Sequence, residues 1–283
     1  MSSEQRTHGA PTTPDARTTL VIGGTGKTGR RVAERLTARG LPVRIGSRSA
    51  QPAFQWESPA TWDAALDGVG AVYLTYYPDL GFPGAAETVG AFARTAVERG
   101  VRRLVLLSGR GEEGARRSED AVRASGADLT VVRSSWFAQN FDEGMFVDSV
   151  RAGEIALPVG DSVEPFVDVE DIADVAVAAL TDDRHIGRTY ELSGPRLLSL
   201  TEVAAELTRA VGREVRYIPV TRDDFRAVLE GAGMPLDFLE LIDLMTGGRN
   251  AHVVHGVEEA LGRPARDFSA YARDAAARGT WKE

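Results

Sequence analysis

The stretch Leu20-Val21-Ile22-Gly23-Gly24-Thr25-Gly26-Lys27-Thr28-Gly29 limits what this chain can fold into more than any other. An apolar run enters glycines at positions 23, 26 and 29, and apolar residues then recur as Val32, Ala33 and Leu36 in a run that reaches Arg39. That order predicts a strand, a tight turn and a helix. Glycine accepts backbone angles and close approaches that a Cβ would block, so the free N–H groups at the helix start stay open to an anion, which the helix dipole favours. A pyrophosphate fits such a turn. Gly23, Thr25, Gly26, Lys27, Thr28 and Gly29 are therefore the candidate phosphate-binding residues.

The spacing Gly-x-x-Gly-x-x-Gly departs from the Gly-x-Gly-x-x-Gly of two-domain dehydrogenases and lacks the Gly-Lys-Ser/Thr ending of a P-loop. Gly-Gly-Thr-Gly-Lys-Thr-Gly resembles the nucleotide loop of the NmrA-like branch of the atypical short-chain dehydrogenases/reductases. The resemblance extends from residue 18 to about 280 and includes the tail Gly262-Arg263-Pro264 with Phe268 and Tyr271. Within that family the loop and tail are most similar to the ergot-alkaloid-type iminium reductases and their bacterial relatives. A Rossmann-type fold and a nicotinamide cofactor are what the resemblance implies.

The residues after the second strand, Pro42-Val43-Arg44-Ile45, bear on which cofactor. A site for NAD usually ends this strand in Asp or Glu, which holds the ribose 2′-hydroxyl. Here Gly46-Ser47-Arg48-Ser49 follows, without an acid. Arg48 can clamp a 2′-phosphate, Ser47 can hydrogen-bond to it, and Lys27 adds a second cation, so NADP(H) is expected.

Composition narrows the class further. A net charge of −8 and the lack of a basic stripe argue against a nucleic-acid groove. Cysteine is absent, which fits a reducing cytoplasm and excludes disulfides and thiolate chemistry. No apolar run approaches the ~18 residues of a membrane span. Residues 1–17, polar and holding Pro11 and Pro14, read as a disordered leader, 18–152 as the dinucleotide-binding domain, and 153–283 as a substrate-side portion with segments returning to the sheet.

Strands and helices alternate along the chain, so the expected fold is α/β: a doubly wound parallel sheet with a smaller, mostly helical substrate portion. Phe54-Gln55-Trp56 reads as a short third strand, and the resemblance places Gln55 and Trp56 near the adenine. The run Ala71 to Thr75 is a buried strand with Tyr76 and Tyr77 at its carboxyl end, where ligands lie in open parallel sheets. Arg103 to Ser108 is the next strand, and Ser108 matches the serine that short-chain reductases place beside the substrate carbonyl. A helix is expected over Ser118 to Ala124 and a sixth strand over Leu129 to Arg133. After it, Trp136, Phe137 and Phe141, with Phe166 further on, can wall an apolar pocket, and Asn140 offers a polar handle. The segment from 153 to 163 reads as a loop crossing. Asp168 or Asp171 can cap the helix that follows, and Ser199 to Glu202 is a capping box.

The chemistry is constrained by what is missing. A typical short-chain dehydrogenase pairs Tyr-x-x-x-Lys to move the carbinol proton. None of the six tyrosines has lysine four residues on, and the only lysines are Lys27 and Lys282. His252-x-x-His255 is too few ligands for a metal centre, and no metal is expected. Three readings follow: an NADPH-dependent reductase of an iminium, enone or quinone, with Ser108, Tyr76 or Tyr77 orienting a small apolar substrate; a redox sensor acting through a protein partner; or an isomerase that retains its cofactor. No oligomeric state is implied.

Overall fold

The computed structural model describes residues 17–282, so the expected leader lies outside the described residues apart from Arg17. The first unit is β1 (Thr18–Ile22), α1 (Lys27–Ala38) and β2 (Val43–Gly46). Next come α2 (Trp62–Leu66), β3 (Val69–Leu74), α3 (Ala85–Glu98), β4 (Arg103–Gly109), α4 (Glu113–Arg123) and β5 (Asp128–Ser134). The later chain runs through α5 (Val147–Ala152), β6 (Glu154–Leu157), β7 (Val163–Glu164), α6 (Val169–Thr181), β8 (Thr189–Leu192) and β9 (Leu198–Ser199). It ends with α7 (Leu200–Val211), β10 (Arg216–Pro219), α8 (Arg222–Gly231), α9 (Phe238–Thr246), α10 (Gly256–Leu261) and α11 (Phe268–Ala277).

Six strands form one parallel sheet in the order β2-β1-β3-β4-β5-β8. A parallel sheet must be covered on both faces, which explains the near-continuous apolar strands. Val72, Leu74, Leu104 and Leu106 face Val89, Phe92 and Ala93 of α3. Tyr73 and Val105 point the other way, onto Val32 and Leu36 of α1 and Ile172, Val175 and Ala176 of α6. A third core, built mostly after residue 138, gathers Phe141, Phe146, Phe166, Phe268, Tyr271 and Trp281 beneath α7 and α9. Strand β8 and helix α6 return from the later chain to complete the sheet and its cover.

Three local expectations are corrected. Residues 54–56 form no strand: Phe54 plugs the core, its N–H donates to the Ser47 carbonyl, and Trp62 Nε1 donates to the Gln55 carbonyl. Leu129 to Arg133 therefore belongs to the fifth strand of the chain. Helix α4 begins at Glu113, five residues ahead of Ser118. The crossing from 153 to 163 contains a strand, β6, paired parallel with β10 in a separate two-stranded sheet.

Helices α1 and α6 are joined by more than apolar packing. Arg31 and Arg35 both reach Glu170 at 2.5 Å, and Arg35 reaches Asp174 at 2.7 Å. Asp168 is the N-cap of α6, accepting the Glu170 N–H at 3.0 Å. Asp171 is not a cap: it is buried, accepts from Arg263 at 2.7 Å and takes the Arg266 N–H. Ser199 and Glu202 form the expected capping box. Among the described residues no helix is long and apolar enough to cross a membrane.

Asp171 is fully buried, whereas Arg263 is half-exposed and keeps Asp174 as a partner, so what the loss of Asp171 strands is the Arg266 N–H and part of the Arg263 pairing. Asp171→Ala is expected to lower the unfolding free energy by about 2 kcal/mol, checked by urea titration.

Candidate functional site

The turn between β1 and α1 is built as an anion cradle. Gly23 has φ +67°, and a Cβ on Gly29 would stand 2.2 Å from the Gly23 carbonyl oxygen. Only glycine permits that approach, which lets α1 start directly above the strand. Gly26 is the N-cap of α1; no side chain caps the helix and its first turn holds no acid. Helices α3 and α4 also lack a side-chain cap, so what sets α1 apart is the close glycine turn in front of it. A dinucleotide pyrophosphate fits the free N–H groups there.

The neighbouring positions divide by task. Thr25 and Gly26 are exposed on the rim, Thr28 is buried, and Thr75 Oγ1 at the end of β3 donates to the Ile22 carbonyl at 3.1 Å, bracing the turn. Arg48 is exposed beyond β2 and makes no ion pair among the described residues; Ser47 lies beside it, its hydroxyl 3.4 Å from that of Ser49. Lys27 does not join them. Its ammonium donates to Asn140 Oδ1 at 3.0 Å, on the β5 side of the turn and away from β2, and burial lowers its pKa. Trp56 is half-buried, packed against Phe54, Trp62, Phe92 and Tyr76.

The substrate side differs more from expectation. Tyr76 packs on Trp56 with ring centroids 5.2 Å apart, whereas Tyr77 is 79% exposed. Ser108 is 3% exposed and donates to Glu119 Oε1 at 2.6 Å, and Arg133 pairs with the same carboxylate. It lies on the same face of β4 as Leu104 and Leu106, towards α4, so the sheet turns it from the cleft. Phe141 and Phe166 are also withdrawn: they pack on each other, with Phe146 and Phe268 around them, inside the third core. Trp136 and Phe137 remain half-buried on the segment after β5, where Val167 pairs alongside.

That segment is tied to the nucleotide turn. Glu143 binds Arg30 at 2.7 Å and Arg31 at 2.6 Å, and these arginines hold its pKa low against the opposing effect of burial. Asp142 takes the Tyr271 hydroxyl and Arg278, fastening α11 to the same place.

Comparison with known proteins agrees with this geometry. An NAD(P)H-binding family model matches residues 23–183, and the NmrA-like family model matches residues 117–273. The chain belongs to the NmrA-like family. It is 33% identical to agroclavine dehydrogenase of Claviceps fusiformis over 91% of this chain and 96% of that protein. It is 36% identical to the (4-alkanoyl-5-oxo-2,5-dihydrofuran-3-yl)methyl phosphate reductase of Streptomyces griseus, over 88% of this chain and 94% of the relative. The solved Citrobacter triphenylmethane reductase shares the fold, with a TM-score of 0.72 at 18% identity, covering 92% and 99% of the two chains.

Sequence reading missed several groups at the sheet's carboxyl end. Asp79, after β3, and Glu112, after β4, share a hydrogen bond, and the Glu112 carboxyl is so close to the backbone that a Cβ on Gly109 would stand 1.9 Å from Oε1. Burial and the neighbouring Asp79 push Glu112 up to about 9, and burial also raises Asp79. Arg110, fully buried, donates to Ser135 Oγ at 3.1 Å and to the carbonyls of Asn250 and His252. Glu164 is 1% exposed and faces Trp136. None follows a sequence motif; each is placed by loops that meet only in the folded chain.

Two outcomes follow. Gly29→Ala is expected to weaken dinucleotide binding by about tenfold or more with helix content retained, measured by calorimetry and circular dichroism. Glu112 is protonated in the folded protein where the unfolded chain is ionised, so its folded pKa being raised makes stability fall as pH rises from the free carboxyl value towards about 9. Glu112→Gln should flatten that decline, as read from urea midpoints across the same range.

Proposed function

We propose that the chain is an NADPH-dependent reductase acting on an iminium C=N bond or a conjugated C=C or quinone system in a small, largely apolar metabolite. The observation that carries the substrate class is the lack of a conventional proton donor: no Tyr-x-x-x-Lys pair exists, and Ser108 is committed to Glu119. An acceptor suited to such a site is electrophilic already or spreads the charge it gains. An iminium carbon does the first and a conjugated enone or quinone the second.

The chain is an NAD(P)H-dependent oxidoreductase, and its residues divide the work. The open N-terminus of α1 would hold the pyrophosphate, and Arg48 with Ser47 the 2′-phosphate. Trp56 offers an edge of its aromatic cluster to the adenine side. A bound reduced nicotinamide supplies hydride. Trp136, Phe137, Tyr76 and Asn140 would orient the substrate and exclude water, with Tyr77 on the outer rim. The names of two relatives support the reading: a clavine dehydrogenase, and a reductase whose named substrate carries a ring C=C conjugated to carbonyl groups.

The redox-sensor reading has one observation in its favour: Lys27 and Glu143 couple the nucleotide turn to the segment after β5, so occupancy of one is felt by the other. Turnover decides between them. NADPH oxidation with a cyclic imine or an enone establishes the reductase; tight binding with no oxidation by any acceptor leaves the sensor.

Arg48→Ala is expected to weaken NADPH binding by about tenfold to a hundredfold while leaving NADH binding nearly unchanged, because charge-assisted hydrogen bonds to a 2′-phosphate are worth about 1.5–3 kcal/mol. Calorimetry with both nucleotides measures this, and equal losses would remove Arg48 from the site.

A further inference from the structure

Helix α11 borders two cavities of different electrostatic character. One, of about 380 Å³, lies towards α1 and α6, and its cations are already paired: Arg35 with Glu170, Arg263 with Asp174, Arg266 with Asp168, and Arg278 with Asp142. The other, of about 590 Å³, lies between α7, α11 and the tail that follows α11. Arg209, Arg213, Arg273 and Lys282 line it, and among the described residues no carboxylate does. In a chain of net charge −8, that is a local concentration of the opposite sign.

A helix dipole accounts for Arg209, which sits in the last turn of α7 and also pairs with Glu206 at 2.8 Å. It does not account for Arg273, which stands in the middle of α11 and whose guanidinium donates to Ser269 Oγ at 3.4 Å. Arg213 follows α7 and donates to the Val150 carbonyl at 3.0 Å, which holds its guanidinium at the wall. Neither Arg213 nor Arg273 makes an ion pair among the described residues. Beneath these cations the cavity is apolar. Val211 and Ala276 pack on the third core, and Ala277 lies exposed beside them. Trp281, 3% exposed, donates its Nε1–H to the Phe141 carbonyl at 2.8 Å. With that single polar group spent on the core, the indole offers only carbon to the cavity.

We propose that this cavity is a second ligand site, apart from the nucleotide turn, for a free single-chain anionic amphiphile: a carboxylate or phosphate head on an alkyl or acyl chain. The head sits between Arg213 and Arg273, whose planar forks match either anion, and Lys282 and Arg209 add charge at the rim. The chain lies on Val211, Ala276, Ala277 and Trp281. The volume falls in the small-molecule range of about 300–1,000 Å³, whereas a protein partner needs a patch of about 800 Å² on each side. None of the lining residues belongs to α1 or to the turn before it, so the site stands whether or not the reductase reading does.

The test uses the full chain labelled with nitrogen-15 at tryptophan, in which four indole N–H signals include that of Trp281, assigned through Trp281→Phe. Octanoate, titrated below its micelle concentration, should move the Trp281 signal saturably, whereas acetate and octanol at the same concentrations should leave it in place. Ala277→Glu puts a carboxylate at the cavity wall, and the double variant Arg273→Gln, Lys282→Gln removes two rim cations; all three positions are exposed. Each variant should weaken octanoate by about tenfold or more with NADPH binding unchanged. No shift with octanoate overturns the proposal, as does octanol or acetate acting equally strongly. A shift that survives in both variants comes from octanoate bound elsewhere and overturns it too.

Discussion

The contact between Gly29 and the carbonyl of Gly23 is the constraint on which the rest depends. It sets where α1 starts, and α1 carries in successive turns Lys27, Arg30, Arg31 and Arg35, the residues that reach across to Asn140, Glu143, Glu170 and Asp174. A Cβ at position 29 would push the helix from the strand and move every one of those donors. The turn therefore fixes both the open N-terminus of α1 and the register of the α1–α6 pairing. It also positions the segment after β5, since Glu143 and Asn140 belong to it.

How much of this was legible in the sequence follows from the range of the physics involved. The turn could be read because glycine spacing, an apolar strand and an amphipathic helix are all local. The capping box at Ser199 is local too, and so is the open end of β2 at Ser47 and Arg48. Ser108, Phe141 and Phe166 were misplaced because position beyond a strand does not specify the direction of a side chain. Ser108 shares the face of Leu106, and α4 delivers Glu119 to meet it. Phe141 and Phe166 are taken up by Phe268 from more than a hundred residues later, a contact that no spacing within their own segments encodes. Lys27 was read correctly as a loop cation and sent to the wrong side of the loop, because Asn140 approaches only in the folded chain.

Short apolar segments were the other weak point. Phe54-Gln55-Trp56 has the composition of a strand, yet the edge of the sheet is already β2, and the segment instead inserts Phe54 under α3 and leaves Trp56 half-open. The aromatic cluster it builds joins Phe92 of α3 to Tyr76 beyond β3. The failed strand is thus a wall: an irregular segment can present one ring inward and the next outward without satisfying a ladder of backbone hydrogen bonds.

Burial, helped by a neighbouring like charge, can hold a carboxylic acid protonated near neutral pH. This chain has two such places, and the two acids are held differently. Glu112 shares its proton with Asp79 and is packed against the backbone of Gly109, so that proton is locked between two loops and serves to hold them together. Glu164 is 1% exposed and takes one long hydrogen bond, from the N–H of the half-buried Trp136 at 3.4 Å. Glu164 instead lies on the strand that backs the segment coupled through Glu143 to the nucleotide turn.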